Sequence, residues 1–199
     1  YGPPGTGKTY SVVKSLDFVS QGDSSRYEIL QFHPSFTYED FIEGIKPKGV
    51  SKDGNIRFEL VNGVFKNFCI NAIKNIEENT NNPEKIKTFY FVVDEINRAN
   101  LSSVFGETLS LLEKDYRHDG KSSKNLIKTQ YSALIEDLIK EDDKYKSLAY
   151  TIDNGKVKFG VPENVFFIGM MNDVDKSIDA FDLALRRRFK WIRKDCDYE

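Results

Sequence analysis

Residues 2–9 read Gly-Pro-Pro-Gly-Thr-Gly-Lys-Thr, and no other stretch restricts the fold of this chain so tightly. The spacing is that of a phosphate loop. Gly2, Gly5 and Gly7 let the backbone curl until its N–H groups point inward around the β-phosphate of a nucleotide. Pro3, Pro4, Thr6 and Tyr10 complete the phosphate-contacting stretch. Lys8 carries a mobile cation to the β- and γ-phosphates, and the Thr9 hydroxyl is a ligand for Mg²⁺. Such a loop runs into a helix whose positive dipole end faces the same anion. Val12, Val13, Leu16 and Val19 recur at helical spacing and predict that helix over 7–19. A glycine-rich turn with an incidental Lys-Thr would not require it.

The rest of the chain alternates strand and helix patterns. Tyr27–Phe32 reads as a short strand, and 35–45 as a loop entering a short helix with Thr37 as its cap. Val64, Phe65, Phe68, Cys69, Ala72, Ile73 and Ile76 form one apolar helical stripe. Residues 88–94, apolar without alternation, suit a strand buried on both faces of a parallel sheet. Leu101, Val104, Phe105, Leu109 and Leu112 predict a helix over about 100–114. A charged helical insert follows at about 123–146, then a hairpin at about 148–160 centred on Asn154-Gly155. Residues 165–171 form another buried strand, and 178–189 a helix closing on Arg186, Arg187 and Arg188. This order predicts a three-layer α/β domain with a mostly parallel sheet.

Two features belong beside the phosphate loop. Asp94 and Glu95 end a buried strand, at the sheet edge where open α/β folds bind ligands. There Asp94 would hold Mg²⁺ through water, and Glu95 would orient and deprotonate an attacking water. Asn172 ends the next buried strand, which brings its amide to the same edge. The arginines at 186–188 are either a helix C-terminus satisfying its dipole or the source of an arginine finger for a neighbouring subunit.

Composition excludes several alternatives. Of 199 residues, 29 are Lys or Arg and 31 are Asp or Glu, so no overall positive charge points to nucleic acid, and any contact with DNA would have to be local or made by another part. No apolar run approaches the roughly 20 residues that cross a bilayer. Cys69 and Cys196 have no metal-ligand spacing and read as reduced thiols, as in a cytoplasmic protein. His33 reads as structural, and His118 has no evident partner.

Taken in order, the motifs resemble an AAA+ domain of the P-loop NTPases. Residues 31–47 (QFHPSFTYEDFIEGIKP), 94–113 (DEINRANLSSVFGETLSLLE), 161–172 (VPENVFFIGMMN) and 182–189 (DLALRRRF) are similar to the McrB-type motor subunit of modified-cytosine restriction systems. The resemblance implies a hexameric ring of identical subunits hydrolysing nucleotide at their interfaces, with GTP favoured over ATP. It further implies an McrC-like nuclease partner, and DNA read by a domain outside residues 1–199. Lys8, Thr9, Asp94 and Glu95 carry over in their roles, Asn172 becomes the sensor, and Arg187 or Arg188 the finger. Asn97 and Arg98 would face the neighbouring subunit. The family places a buried strand before the phosphate loop and a helical lid after the final arginines. Residues 1–199 therefore read as a partial large α/β subdomain without its first strand and C-terminal lid. One departure falls at 173–176, where Asp-Val-Asp-Lys replaces the usual Thr-Ala-Asp-Arg; Lys176 or an arginine would have to offset Asp173. An ATP-driven protein remodeller and a nucleotide-gated assembly switch are the competing readings.

Overall fold

Parallel strands need crossover helices, and the core of this protein is built from that requirement. The computed structural model describes residues 1–172 and 183–195, with side chains from Leu185 onward in the second stretch. Asp173–Ser177, the start of the last helix and Cys196 lie outside the described residues. In chain order the elements are α1 (Lys8–Ser20), β1 (Tyr27–Gln31), α2 (Tyr38–Phe41), β2 (Glu43–Val50), β3 (Ile56–Asn62), α3 (Val64–Glu78) and β4 (Phe89–Asp94). They continue with α4 (Leu101–Phe105), α5 (Ser132–Glu141), β5 (Thr151–Asp153), β6 (Lys156–Lys158), β7 (Val165–Gly169) and α6 (Leu183–Arg186).

A parallel sheet of order β1-β4-β7 forms the middle layer. Alternate residues of β4 serve opposite faces. Val92 packs with Leu16 of α1 and with Met170, whereas Phe91 and Val93 join the larger cluster that includes Phe65, Cys69, Ile73 and Ile76 of α3. The second cluster is rich in phenylalanine. Phe41 stacks on Phe65 with ring centroids 4.7 Å apart and meets Phe105 edge-on at 4.7 Å. Such pairs add about 0.5–1.5 kcal/mol each beyond the area they bury.

The structure departs from the sequence reading, or adds to it, at three points. The helix predicted over 100–114 breaks at Gly106 (φ +51), and residues 106–112 continue as a 3₁₀ helix. A side chain at 106 would press on the Tyr38 ring at 3.2 Å, and the break lets the Tyr38 hydroxyl donate to Glu107 at 2.8 Å. Leu109 and Leu112 are three apart and satisfy either helix type, so periodicity could not separate them. The antiparallel ribbon β2–β3 was not anticipated. A register shift between Pro47 and Gly49 interrupts its two-residue alternation, which hid the pattern. His33 is exposed, while His118 is buried between the Tyr150 hydroxyl (2.9 Å) and the Ser122 carbonyl (3.0 Å). By contrast, Asn154 (φ +50) and Gly155 (φ +73) form the tight turn between β5 and β6, as their sequence requires.

A buried ion pair fixes the root of the ribbon. Lys66 on α3 donates to Glu43 at the start of β2, and both side chains are almost fully enclosed. Burial pulls the Lys66 ammonium below its ordinary range, and the Glu43 carboxylate opposes that shift. Glu43 also accepts the Tyr131 N–H at 2.9 Å, tying the segment before α5 to the same point. Close backbone contact completes the root: a Cβ on Gly63 would lie 2.3 Å from the Phe41 carbonyl carbon.

Lys66→Met should therefore lower stability by about 3–5 kcal/mol in urea unfolding, because it strands a buried carboxylate. Adding Glu43→Gln should recover a large part of the loss. Equal loss in the single and double variants would show that the charge itself is unimportant.

Candidate functional site

The C-terminal ends of the parallel strands, the phosphate loop and the start of α1 meet at one edge. Gly5 (φ +79) and Gly7 (φ +70) adopt left-handed backbone, and no atom lies within 4 Å of where their Cβ would be. Conformation, not crowding, requires glycine there. Thr6 Oγ1 donates to the Pro3 carbonyl at 3.1 Å and braces the curl. The Lys8 ammonium donates to the carbonyls of Gly2 (3.0 Å) and Pro3 (2.7 Å) and to Asn172 Oδ1 (2.9 Å).

The acids lie on the other side of the same cluster. Register pairs Gln31 with Asp94, and Phe32 N–H donates to the Asp94 carbonyl at 2.9 Å, so β1 holds the end of β4. Thr9 Oγ1 donates to Asp94 Oδ2 at 3.0 Å, and the other carboxylate oxygen accepts the Glu95 N–H at 2.9 Å. Glu95 adopts φ +50, uncommon for a residue with a side chain, and turns its carboxylate toward Asn172. Asn172 Nδ2 donates to Glu95 Oε1 at 2.9 Å, and Arg98 Nε donates to Oε2 at 3.3 Å. A backbone bridge between Gly2 and Asn172 closes the circuit. Lys8, Thr9, Asp94, Glu95 and Asn172, picked from three separate motifs, form one connected polar cluster.

The other expected residues are placed differently. Pro4, Gly5, Gly7 and Tyr10 are exposed, and the Tyr10 ring lies 5.7 Å from the Lys14 ammonium. Arg186 ends α6 and Arg187 follows it, both exposed, whereas Arg188 pairs with Glu113 at 3.0 Å. Asn97 is buried, whereas Arg98 is exposed and also reaches back to Glu95. The Arg98–Glu95 contact was not anticipated. Its only sequence signal is the three-residue spacing across a turn. Beside Lys8, between β7 and residues 188–194, lies an apolar groove of about 510 Å³ that includes Val12, Ile96, Phe167, Met170 and Trp191.

The donor set fits a hard divalent cation. Thr9 and Asp94 offer oxygen alone, and the described residues contain no group of three His, Cys, Asp or Glu that could cage a metal. Mg²⁺ suits such a site because it keeps several waters and takes further ligands from substrate phosphates.

Comparison with known proteins agrees with this arrangement. Residues 1–189 match the family described as AAA domain (dynein-related subfamily). The chain is 39% identical over 193 residues to the type IV methyl-directed restriction enzyme EcoKMcrB subunit of Escherichia coli (strain K12). It is 25% identical over 211 residues to the type II restriction enzyme BsuMI component YdiS of Bacillus subtilis (strain 168). Each alignment covers 96% of this chain but only 33% and 54% of those proteins, respectively.

Lys8→Met should weaken binding of a fluorescent nucleoside triphosphate, measured by anisotropy with Mg²⁺, by at least about tenfold, equivalent to 1.4 kcal/mol. Unchanged affinity would remove Lys8 from the site.

Proposed function

Because the chain belongs to the AAA domain family, in its dynein-related subfamily, we propose that it hydrolyses a nucleoside triphosphate, with GTP favoured, as part of a ring motor in a McrBC-like restriction system. The observation that carries this reading is the contact chain from Lys8 through Asn172 to Glu95, with Thr9 and Asp94 alongside. It brings a phosphate-seeking cation and a water-activating carboxylate within two hydrogen bonds of each other.

In the proposed reaction the loop from Gly2 to Tyr10 receives the phosphates, and Lys8 turns from the Gly2 and Pro3 carbonyls to the β- and γ-phosphate oxygens. Thr9 and Asp94 hold Mg²⁺, which when bound neutralises charge on those oxygens. Glu95 takes the proton of the attacking water. Asn172 aligns that carboxylate and keeps Lys8 close to the γ-position. Charge developing in the transition state requires one more cation, which Arg187 of an adjacent copy supplies. Arg187 is preferred to Arg188 because Arg188 is already paired with Glu113 in its own subunit. A finger supplied in this way requires a closed homo-oligomer, for which we propose a hexamer.

Residues 1–199 then act as a partial large α/β subdomain, with the helical insert and the β5–β6 hairpin as additions to it. The turnover would drive DNA translocation for an McrC-like nuclease partner, in the cytoplasm, with the DNA site read by a domain outside these residues. Support comes from both relatives, each a component of a restriction enzyme. None of the described helices is long and apolar enough to cross a membrane.

Glu95→Gln should bind triphosphate as tightly as the parent while phosphate release falls at least about a hundredfold. Parent turnover should be faster with GTP than with ATP. Undiminished phosphate release by Glu95→Gln would refute the mechanism, and an ATP preference would favour the remodelling role.

A further inference from the structure

The ribbon β2–β3 projects from the body with both faces in solvent from about Ile45 to Glu59. A two-stranded ribbon is marginally stable on its own in water. Its root is anchored by the Glu43–Lys66 pair and the close approach of Gly63 to Phe41. Its register separates two faces. Ile45 pairs with Leu60, Pro47 with Phe58 and Val50 with Ile56, so these six side chains share one apolar face. Ile45, Val50, Ile56 and Phe58 are 48%, 65%, 59% and 60% exposed, too large a cluster for scattered surface residues. Lys46 and Arg57 lie on the opposite face, Lys48 at the register shift and Lys52 in the turn.

Charge decides which occupant this surface suits. Between 45 and 59 the four cations face only Asp53 and Glu59, a net of +2 in a chain whose total is −2. Lys46 pairs with Asp40 at 2.6 Å, but none of Lys48, Lys52 and Arg57 forms an ion pair among the described residues. Positive charge is therefore concentrated on the one element that stands clear of an otherwise acidic body. With eight residues in β2, the ribbon is about 26 Å long. A two-stranded β-ribbon fits the major groove of duplex DNA.

We propose that this ribbon is a direct contact for double-stranded DNA. Lys48 at the register shift and Lys52 in the turn reach phosphates, Arg57 reaches one past the open outer edge of β3, and the Ile56–Phe58 face lies toward base edges, where thymine methyls offer apolar contact. The inference rests on the motor reading above and extends it: the chain grips the duplex itself, instead of leaving all DNA contact to another domain.

The test is fluorescence anisotropy of a labelled 30-base-pair duplex with the intact protein, titrated at several salt concentrations with a slowly hydrolysed GTP analogue. The triple variant Lys48→Glu, Lys52→Glu, Arg57→Glu should bind at least about tenfold more weakly. Its log affinity against log salt should flatten by about one unit per cation removed. Phe58→Ala should weaken binding with no change in that slope. DNA-independent nucleotide turnover should stay at the parent rate in both variants, which separates this proposal from the hydrolysis reading. A parent protein without salt-dependent duplex binding, or a triple variant with parental affinity and slope, would overturn the proposal and leave the apolar face as a protein-docking surface.

Discussion

Asn172 joins the two halves of the site. Its carbonyl oxygen accepts from Lys8 at 2.9 Å, and its amide donates to Glu95 at 2.9 Å. Only a residue offering an acceptor and a donor on one short, rigid side chain can bridge an ammonium and a carboxylate in this way. The fold makes the bridge possible, because parallel strands send all their C-terminal ends to one edge. The Ile96 N–H donates to the Met170 carbonyl at 3.0 Å, locking the turn after Glu95 against the end of β7. The left-handed backbone of Glu95 is uncommon, and that lock helps to hold it.

Much of this geometry was legible in the sequence because it depends on short, local rules. A glycine pattern fixed the loop and the helix behind it, and non-alternating apolar runs marked β4 and β7 as neighbouring parallel strands, although only β4 lies between two others among the described residues. Convergence followed, since strand ends in a parallel sheet share an edge. What escaped depended on interactions between distant residues. Gly106 reads as a tolerable helix interior until Tyr38 is known to sit against it. His118 reads as a loop residue until Tyr150 folds back onto it across 32 positions. The ribbon was hidden by its own irregularity at Pro47–Gly49, although Asp53-Gly54 marked its turn.

Site and ribbon are joined by a short stretch of chain. The chain leaves β1 at the point where Phe32 bonds to the Asp94 carbonyl, crosses to α2 and enters the ribbon within a dozen residues. Thr37 starts α2, with its N–H and hydroxyl both donating to Asp40, and Phe41 ends it inside the phenylalanine cluster. Along this stretch the Phe36 and Phe41 rings pack on Phe32, while His33, Pro34 and Ser35 are exposed.

Every role assigned to these residues requires one triphosphate to occupy the cluster at the sheet edge. A crystal structure of the chain with Mg²⁺ and a slowly hydrolysed GTP analogue tests this directly. Lys8 should be released from the Gly2 and Pro3 carbonyls and bonded to phosphate oxygen, with Glu95 and Asn172 beside the γ-phosphate. Nucleotide bound elsewhere, with the contacts of Lys8 unchanged, would contradict those roles.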